Sequence, residues 1–300
     1  MYIARNSLAL APLLDGCRRY ADAWALPDGS APTPVPGISV VRSLHPGELQ
    51  VAVQKPVVAM LLQGQKRVTT HCSSFEYAPG EAMVISADIP TLSQITRASA
   101  AFPYYSLVLE LDPAILRDLC SAVPPTPGEA RTVRVEPIDA DVADAALRLV
   151  RLFGHPEALT ALGGGLLREL HYWLLMGVHG PAIRALGAVD SHSERIGRAV
   201  AILRREFLRT IRVDELAEAA GMSETAFHRH FRAITTLSPL QFQKQLRLIE
   251  ARRLMLAEGI GISQAAYSVG YASVSQFTRE YGRLFEASPG KDMRLARAGG

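Results

Sequence analysis

Cysteine is scarce in this 300-residue chain, and none of the cysteines lies in a pattern that forms disulfides or binds a metal. Cys17, Cys72 and Cys120 are an odd number at wide spacings, without CxxC. This usage indicates reduced thiols and excludes a disulfide scaffold. Apolar runs of 18 or more residues are also missing, and residues 1–16 lack a signal-peptide cleavage pattern. We therefore expect a cytoplasmic protein that does not engage a membrane.

The composition predicts a folded chain of about two domains. Hydrophobic residues make up 48% and charged residues 20%, which is enough for buried cores. Charge is unevenly distributed, since residues 1–189 carry 15 basic and 17 acidic side chains, whereas residues 190–300 carry 17 basic and 12 acidic. A basic last third favours contact with a polyanion, although a solvated surface gives the same pattern.

The first 190 residues change period once. Residues 38–111 contain short apolar or alternating runs separated by turn residues, which is typical of antiparallel strands in a small barrel or sandwich. Within them, Val57–Leu62 and Arg67–Thr70 flank Gly64 and predict a hairpin. From residue 113 the apolar period becomes helical. The apolar faces of these helices are suited either to a second copy of the chain or to the chain's own barrel.

The last 110 residues contain an internal repeat. Seven positions recur after a displacement of 49 or 50 residues. They are Ala217 and Ala266, Gly221 and Gly270, Ser223 and Ser273, Phe227 and Phe277, Arg229 and Arg279, Phe231 and Tyr281, and Pro239 and Pro289. The repeat predicts two copies of one structural unit, at about 211–232 and 262–283.

Each unit has the pattern of a helix-turn-helix. In the first, a short helix ends at Gly221, a residue that tolerates the left-handed conformation of a tight turn. Ser223 then offers a hydroxyl to cap a second helix, in which Phe227 and Phe231 share one buried face. The opposite face of that second helix is the candidate recognition surface.

The candidate recognition surface carries side chains that read bases. Arginine binds guanine edges bidentately, glutamine binds adenine, and small hydroxyl or apolar groups contact thymine methyls or phosphates. The predicted DNA-binding residues are Thr225, His228, Arg229 and Arg232 in the first unit and Val274, Ser275, Gln276, Thr278 and Arg279 in the second. The predicted phosphate contacts are Arg195, Arg198, Arg209, Lys244, Arg252 and Lys291. A solvated helix face is the alternative.

A long helix is predicted between the two units, from Pro239 to about Ala257. About 18 residues at about 1.5 Å each span roughly 27 Å. Together with the bodies of the units, this length is comparable to the roughly 34 Å between successive major-groove faces. One chain can thus be expected to place two recognition helices in adjacent turns of the duplex.

The repeat resembles the C-terminal DNA-binding domain of the AraC/XylS family of bacterial transcription regulators. The resemblance covers residues 190–297 and is carried by VDELAEAAGMSETAFHRHF and by ISQAAYSVGYASVSQFTREYGRLFEASPGKDMR. The front is similar to the cupin-like sensor domain of an AraC subfamily, through PVPGISVVRS, VVAMLLQGQKRV, YAPGEAMVISADIP and FPYYSLVLELDP. The resemblance implies the helix-turn-helix roles given above for the two recognition helices.

The resemblance also implies an organisation and a set of partners. The fold class is α+β, with a cupin-like sensor barrel at 1–115, a helical dimerisation segment at 116–186 and an all-α domain with two helix-turn-helix units at 187–300. The implied partners are promoter DNA, RNA polymerase, a second copy of the chain and a small-molecule effector, with alcohols and aldehydes worth testing. Polar residues predicted to line the effector site are Gln63, Ser86, Asp88, Ser93 and Tyr104.

Two other functions remain open at this point. A metal-dependent cupin enzyme with a basic appendage needs an HxH cluster on its strands, whereas the front domain offers only His45 and His71, far apart in sequence. The chain has no GxSxG and no phosphate-binding loop. We therefore expect no catalysis, metal or cofactor. The second alternative is a nonspecific architectural DNA binder, which differs from a regulator in its sequence preference.

Overall fold

The computed structural model describes residues 2–47, 49–71, 73–125, 128, 131–188 and 191–299, and Cys72 lies outside them. The strands in these residues are β1 (Ser30–Pro32), β2 (Ile38–Ser43), β3 (Gln50–Gln54), β4 (Val57–Gln63), β5 (Gln65–Thr69), β6 (Ser74–Tyr77), β7 (Glu81–Ile85), β8 (Ile89–Arg97), β9 (Tyr104–Glu110) and β10 (Val133–Pro137). The helices are α1 (Tyr2–Trp24), α2 (Pro113–Ala122), α3 (Ala140–Arg151), α4 (Pro156–Met176), α5 (Gly180–Gly187), α6 (His192–Glu206), α7 (Val213–Ala219), α8 (Glu224–Thr235), α9 (Pro239–Ala257), α10 (Ile262–Ser268), α11 (Val274–Phe285) and α12 (Pro289–Gly299).

The strands form two antiparallel sheets that pack face to face. The six-stranded sheet has the order β1-β2-β9-β4-β7-β10, and the four-stranded sheet has the order β3-β8-β5-β6. Leu61 and Met83 of the first sheet lie in one buried cluster with Val68, Ile89 and Ile95 of the second. The predicted α+β class, with a β-rich front and a helical back, is confirmed.

The central strand β4 explains the unbroken apolar run VVAMLL. Val57 and Leu61 face the second sheet, whereas Val58 and Met60 belong to the core beneath the helices. Both faces of β4 are covered, so every position is apolar and the alternation typical of a half-exposed strand is missing.

The hairpin predicted around Gly64 is wrong. β4 pairs with β7 and β9, whereas β5 pairs with β6 and β8, so the chain passes from one sheet to the other at this glycine. Gly64 has a φ of +91°, and a Cβ there would lie 2.7 Å from the carbonyl oxygen of Arg97. A turn signal between two apolar runs is the same for a hairpin and for a sheet-to-sheet corner.

Helices α1 to α5 cover the outer face of the six-stranded sheet. Leu13, Cys17 and Ala21 of α1 are fully buried, in one core with Val142 and Leu149 of α3. The sequence pattern did not predict α1 or β10, which pairs with β7 at the edge of the sheet. Within the described residues no helix combines the length and apolarity needed to cross a membrane.

Helices α6 to α12 form a helical region around two cores. Their starts follow capping rules: the Ser191 hydroxyl accepts the Glu194 N–H at α6, and Ser238 and Gln241 form a reciprocal capping box at α9. Phe227, Phe231 and Phe242 are fully buried in the first core. Because each core is separate, the helical region consists of a pair of structural units.

The β-rich region and the helical region are joined by specific contacts. The Arg204 guanidinium on α6 donates to Asp88 at 2.5 Å, and the Thr132 hydroxyl donates to the Ile234 carbonyl at 3.1 Å. Val51 and Val53 of β3 pack against the second and first helical cores, respectively. The β-rich region therefore touches both units of the helical region.

His179 makes folding stability depend on pH. Its side chain is 6% exposed, and neither ring nitrogen has a hydrogen-bond partner among the described residues. Burial lowers the pKa of His179 to about 4. As the pH falls below about 6.5, the unfolded chain therefore binds a proton that the folded chain does not bind until about pH 4. Stability present above pH 6.5 is therefore lost between about pH 6.5 and 4.

We expect His179→Leu to remove about 3 kcal/mol of pH-dependent loss in the free energy of unfolding between pH 7 and 4. Urea unfolding at several pH values, followed by circular dichroism, measures it. Equal pH slopes for the two proteins would contradict the assignment.

Candidate nucleic-acid interface

The first helix-turn-helix unit consists of α7 and α8. Gly221 forms the turn with a φ of +61°, and the Ser223 hydroxyl accepts the N–H of Ala226 at 3.4 Å. Phe227 and Phe231, one helical turn apart, are 0% exposed and pack against each other at 5.3 Å between ring centroids. These contacts fix which face of α8 points outward.

The second unit repeats this construction with α10 and α11. Gly270 has a φ of +83°, and the Ser273 hydroxyl accepts the N–H of Gln276 at 3.3 Å. Phe277 and Tyr281 are fully buried, at 5.5 Å between ring centroids. The helix-turn-helix prediction is confirmed for both copies.

The repeat extends to the helix ends, which the sequence reasoning missed. Thr236 and Glu286, displaced by 50 residues, follow α8 and α11 with left-handed φ values of 65° and 55°. Left-handed residues at this position satisfy the last carbonyls of a helix and are usually glycine. The absence of glycine at either position hid this signal.

The predicted base-reading residues lie on the outward faces. In α8 all four are exposed, and in α11 three are exposed and two partly buried. The exposed set is Thr225, His228, Arg229, Arg232, Ser275, Gln276 and Arg279, and the partly buried pair is Val274 and Thr278. Their roles in reading DNA stay predictions.

Arg229 is held by a neighbouring histidine pair. A terminal guanidinium nitrogen of Arg229 lies 3.2 Å from Nε2 of His230, whose ring stacks on His192 at 3.7 Å between centroids. Burial, and then the charges of His192, Arg229 and Arg195, lower the pKa of His230. The neutral imidazole can accept a hydrogen bond from Arg229 and so restrain its orientation.

The predicted phosphate contacts differ in how firmly they are held inside the protein. Arg252 is 12% exposed and bonds Asp292 at 2.8 Å, and Lys244 bonds Glu280 at 2.8 Å. Arg209 lies between Glu206 and Glu215. Arg195 and Arg198 donate to carbonyls of the first turn, at Ala220 and Ala219. Lys291, near the start of α12, is exposed.

The predicted effector-site residues do not meet at one place. Ser93 and Tyr104 are buried in the β-rich region, and the Gln63 amide donates to the Pro103 carbonyl at 2.7 Å near the sheet corner. Asp88 lies at the junction with the helical region, and the nearby Ser86 hydroxyl donates to the Thr132 carbonyl at 3.4 Å. Only the last two lie where both regions of the protein meet.

The sequence reasoning missed a cavity of about 820 Å³ at this junction. Leu111 and Leu186 supply apolar wall, and Asp88 and Arg204 meet across it. The other charged side chains that line it are Lys55, Glu110, Arg117, Glu194 and Arg205. Burial raises the pKa of Asp88 even though Arg204 lies beside it. Residues from distant segments carry no shared sequence signal, so only the fold brings them together.

A metal centre is not formed by the portion of the chain that the structure describes, since no three His, Cys, Asp or Glu side chains converge there. The sequence contains one HxH pattern, His228 and His230. Both residues lie on α8, where residues two apart point to different sides.

Two family models match the chain and cover both of its regions. One, described as an AraC-type transcriptional regulator N-terminus, matches residues 34–182, and the other, described as a helix-turn-helix domain, matches residues 216–294. Together with the fold, they define a DNA-binding transcriptional regulator with an N-terminal sensor domain. The chain belongs to the AraC family of transcriptional regulators, a family of regulators rather than enzymes.

Curated relatives match part of the chain. The transcriptional activator RhaS of Escherichia coli (strain SE11) is 28% identical over 111 residues, which is 37% of this chain and 40% of RhaS. RhaS of Shigella boydii serotype 18 is 27% identical over the same shares. The match therefore spans well under half the length of these relatives.

Solved structures share the overall fold. One is a single-substitution variant of apo ToxT from Vibrio cholerae strain SCE256. The match covers 88% of this chain and 100% of the ToxT chain, with a TM-score of 0.51 and 11% identity. Wild-type ToxT with a bound unsaturated fatty acid covers 86% and 93%, with a TM-score of 0.52 and 10% identity. At these identities the likeness concerns the fold alone.

The exposed position of Arg279 on α11 generates a prediction. We expect Arg279→Ala to weaken binding to the cognate duplex by roughly 1–3 kcal/mol and to relax base preference at one position, because a bidentate arginine contact with guanine is lost. Fluorescence anisotropy on cognate and single-base-changed duplexes measures both effects.

The matched control is Arg253→Ala on α9, where the guanidinium is exposed and bound to Glu250 and Glu258. It should leave base preference unchanged. An equal loss for Arg279→Ala on cognate and scrambled DNA would show that the side chain reads no base.

Proposed function

We propose that this protein is an effector-responsive, sequence-specific transcription activator that acts in the cytoplasm. The observation that carries the proposal is the pair of outward-facing helices, α8 and α11, each fixed by its own buried aromatic pair. Their exposed polar faces suit two successive major grooves of one duplex. The predicted residues Arg229 and Arg279 occupy equivalent positions in the two units and are the proposed base readers.

The proposed backbone contacts come from the remaining exposed basic side chains. Arg198 and Lys291 are exposed, and Arg195 is partly so. Phosphate contacts of this kind set affinity and register without carrying sequence information. For Arg209, Lys244 and Arg252, contact with a phosphate requires that each leave or share its present carboxylate.

Activation and assembly extend the proposal to partners. The curated relatives are named transcriptional activators, which supports activation, and contact with RNA polymerase is the proposed route. Helix α4 presents Leu162 at 56% exposure, and we propose that the helical segment at 116–186 joins two copies through this side.

Sedimentation velocity of the full chain is expected to show a two-chain species, and a monomer at all concentrations would contradict it.

The proposed effector site is the cavity between the β-rich and helical regions. Its volume of about 820 Å³ is suited to a small organic molecule, and its walls combine apolar residues with charged ones. An effector that occupies it alters the approach of Asp88 to Arg204 and so shifts the balance between two orientations of the domains. Alcohols and aldehydes are candidates, and unsaturated fatty acids join them because one bound ToxT structure contains one.

The first experiment compares the affinity of the protein for the DNA beside its own gene with its affinity for a scrambled duplex of equal length, at physiological salt. We expect anisotropy titrations to give an affinity about a thousandfold higher for the native duplex. Equal weak binding to native, scrambled and library-selected duplexes would instead identify an architectural DNA binder.

The junction generates a further prediction. A panel of alcohols, aldehydes and unsaturated fatty acids should include a compound that changes wild-type DNA affinity by on the order of 5- to 150-fold. Arg204→Gln should abolish most of that change, because it removes the positive charge of a cavity-lining side chain and its ion pair with Asp88.

Arg212→Gln is the control, since Arg212 is exposed, bonds only its neighbour Asp214 in the described residues and lies outside the cavity. A full effector response in Arg204→Gln would contradict the assignment of the site. No response of the wild-type protein to any compound of the panel would contradict the proposed effector classes.

A further inference from the structure

Helix α9 belongs to two cores at once. Phe242 and Leu246 of its first half are buried in the core of the first helix-turn-helix unit. Leu248, Ala251 and Met255 of its second half are buried in the core of the second unit. Among the described helices, α9 alone contributes buried side chains to both cores, so the relation between the recognition helices depends on how α9 is held.

Arg247 lies on α9 at the change from one core to the other, and its guanidinium bonds backbone on both sides. Nε donates to the Phe207 carbonyl at 2.8 Å, and one terminal nitrogen donates to the carbonyls of Leu208 and Arg209 at 3.0 and 3.2 Å. The other terminal nitrogen donates to the Gly270 carbonyl at 3.4 Å. Arg247 therefore joins the end of α6 to the turn of the second unit.

The three acceptors after α6 favour a cation. They directly follow the C-terminus of α6, which carries the negative end of the helix dipole. Gln243, one turn before Arg247 on α9, supports the same place, because its amide nitrogen donates to Phe207 at 2.9 Å and Arg209 at 2.6 Å. A planar guanidinium with fixed donor directions holds such a set more rigidly than an ammonium group.

The first unit contains the simpler form of this arrangement. Arg195 on α6 donates to the Ala220 carbonyl at 2.8 Å, and a Cβ on Gly221 would lie 3.3 Å from its guanidinium. A Cβ on Gly270 would lie 3.3 Å from the guanidinium of Arg247. Each turn thus packs on an arginine from the preceding long helix, and Arg247 adds the bonds to the other unit.

We propose that Arg247 selects the spacing of the two half-sites that one chain reads on DNA. The inference rests on the proposed function, in which α8 and α11 enter successive major grooves. Adding one base pair between half-sites moves the second by about 3.4 Å and rotates it by about 34°. A linkage fixed by four carbonyl bonds resists such a change, and a linkage without them accommodates it.

The experiment measures affinity as a function of spacing. An operator is selected from a random duplex pool with wild-type protein, and its two half-sites are then moved by −2, −1, +1 and +2 base pairs. Anisotropy titrations use wild-type protein, Arg247→Met, Arg247→Lys and the control Arg253→Gln, whose guanidinium bonds carboxylates of Glu250 and Glu258 instead of the two units. A duplex with one half-site is measured in parallel.

We expect wild-type protein and Arg253→Gln to lose at least about tenfold in affinity for each single-base-pair change. Arg247→Met should vary by less than about threefold across all spacings while its affinity for a single half-site stays within about twofold of wild type. Arg247→Lys, which keeps the charge and the stem, should flatten the profile partially and provides the test if Arg247→Met does not fold.

Two results overturn the inference. One is a spacing profile as steep in the Arg247 variants as in wild type, and the other is an equal loss on every duplex, the single half-site included, which indicates damage to the units themselves. If wild-type protein prefers no sequence, the proposed function fails independently of Arg247. A sequence-specific wild type whose spacing preference survives both Arg247 substitutions leaves the proposed function standing and removes this inference alone.

Discussion

The burial of α9 in two separate cores is the constraint on which the helical region, α6 to α12, depends. Full burial of a side chain such as Phe242 or Met255 contributes about 1.5–3 kcal/mol to the free energy of folding. Separation of either half of the helix from its core therefore costs several such contributions. The apolar positions of α9 are distributed around the helix because the two cores lie on different sides of it. Two recognition helices are thereby carried by one rigid element.

The junction with the β-rich region is built differently, and the difference suits a regulated contact. It combines a few apolar contacts, those of Val51, Val53 and Ile234, with the ion pair between Asp88 and Arg204. Partly exposed ion pairs contribute little net stability, and a cavity interrupts the surface. Each region therefore keeps its own core, and the contact between the regions depends in part on the approach of Asp88 to Arg204 beside the cavity.

The sequence predicted the features of the structure that follow local patterns. The repeat located both helix-turn-helix units because a glycine turn, a serine cap and an i, i+4 aromatic pair recur together, and each signal has a local physical cause. The corner at Gly64 and the strand β10 were missed, because strand pairing is a non-local choice among apolar runs. The left-handed end at Thr236 was missed because the residue is not glycine.

The candidate site likewise combines features that the sequence predicted with features that only the folded structure shows. The outward faces of α8 and α11 follow from periodicity once the buried aromatics are known. The pairing of Asp88 with Arg204 and the bonds of Arg247 to three consecutive carbonyls depend on segments that are 116 and about 40 residues apart in the chain. No periodic pattern connects such segments, so these contacts required the folded structure.

The central claim is that one chain reads two successive major grooves on one face of the duplex. Methylation protection at guanine N7, an atom in the major groove, tests it directly on an operator bound by the full-length protein. For each bound chain we predict two protected stretches whose centres lie about 10 base pairs apart on the same face. Protection of a single stretch per chain would contradict the account. Protection of the operator no greater than that of a scrambled duplex would contradict it as well.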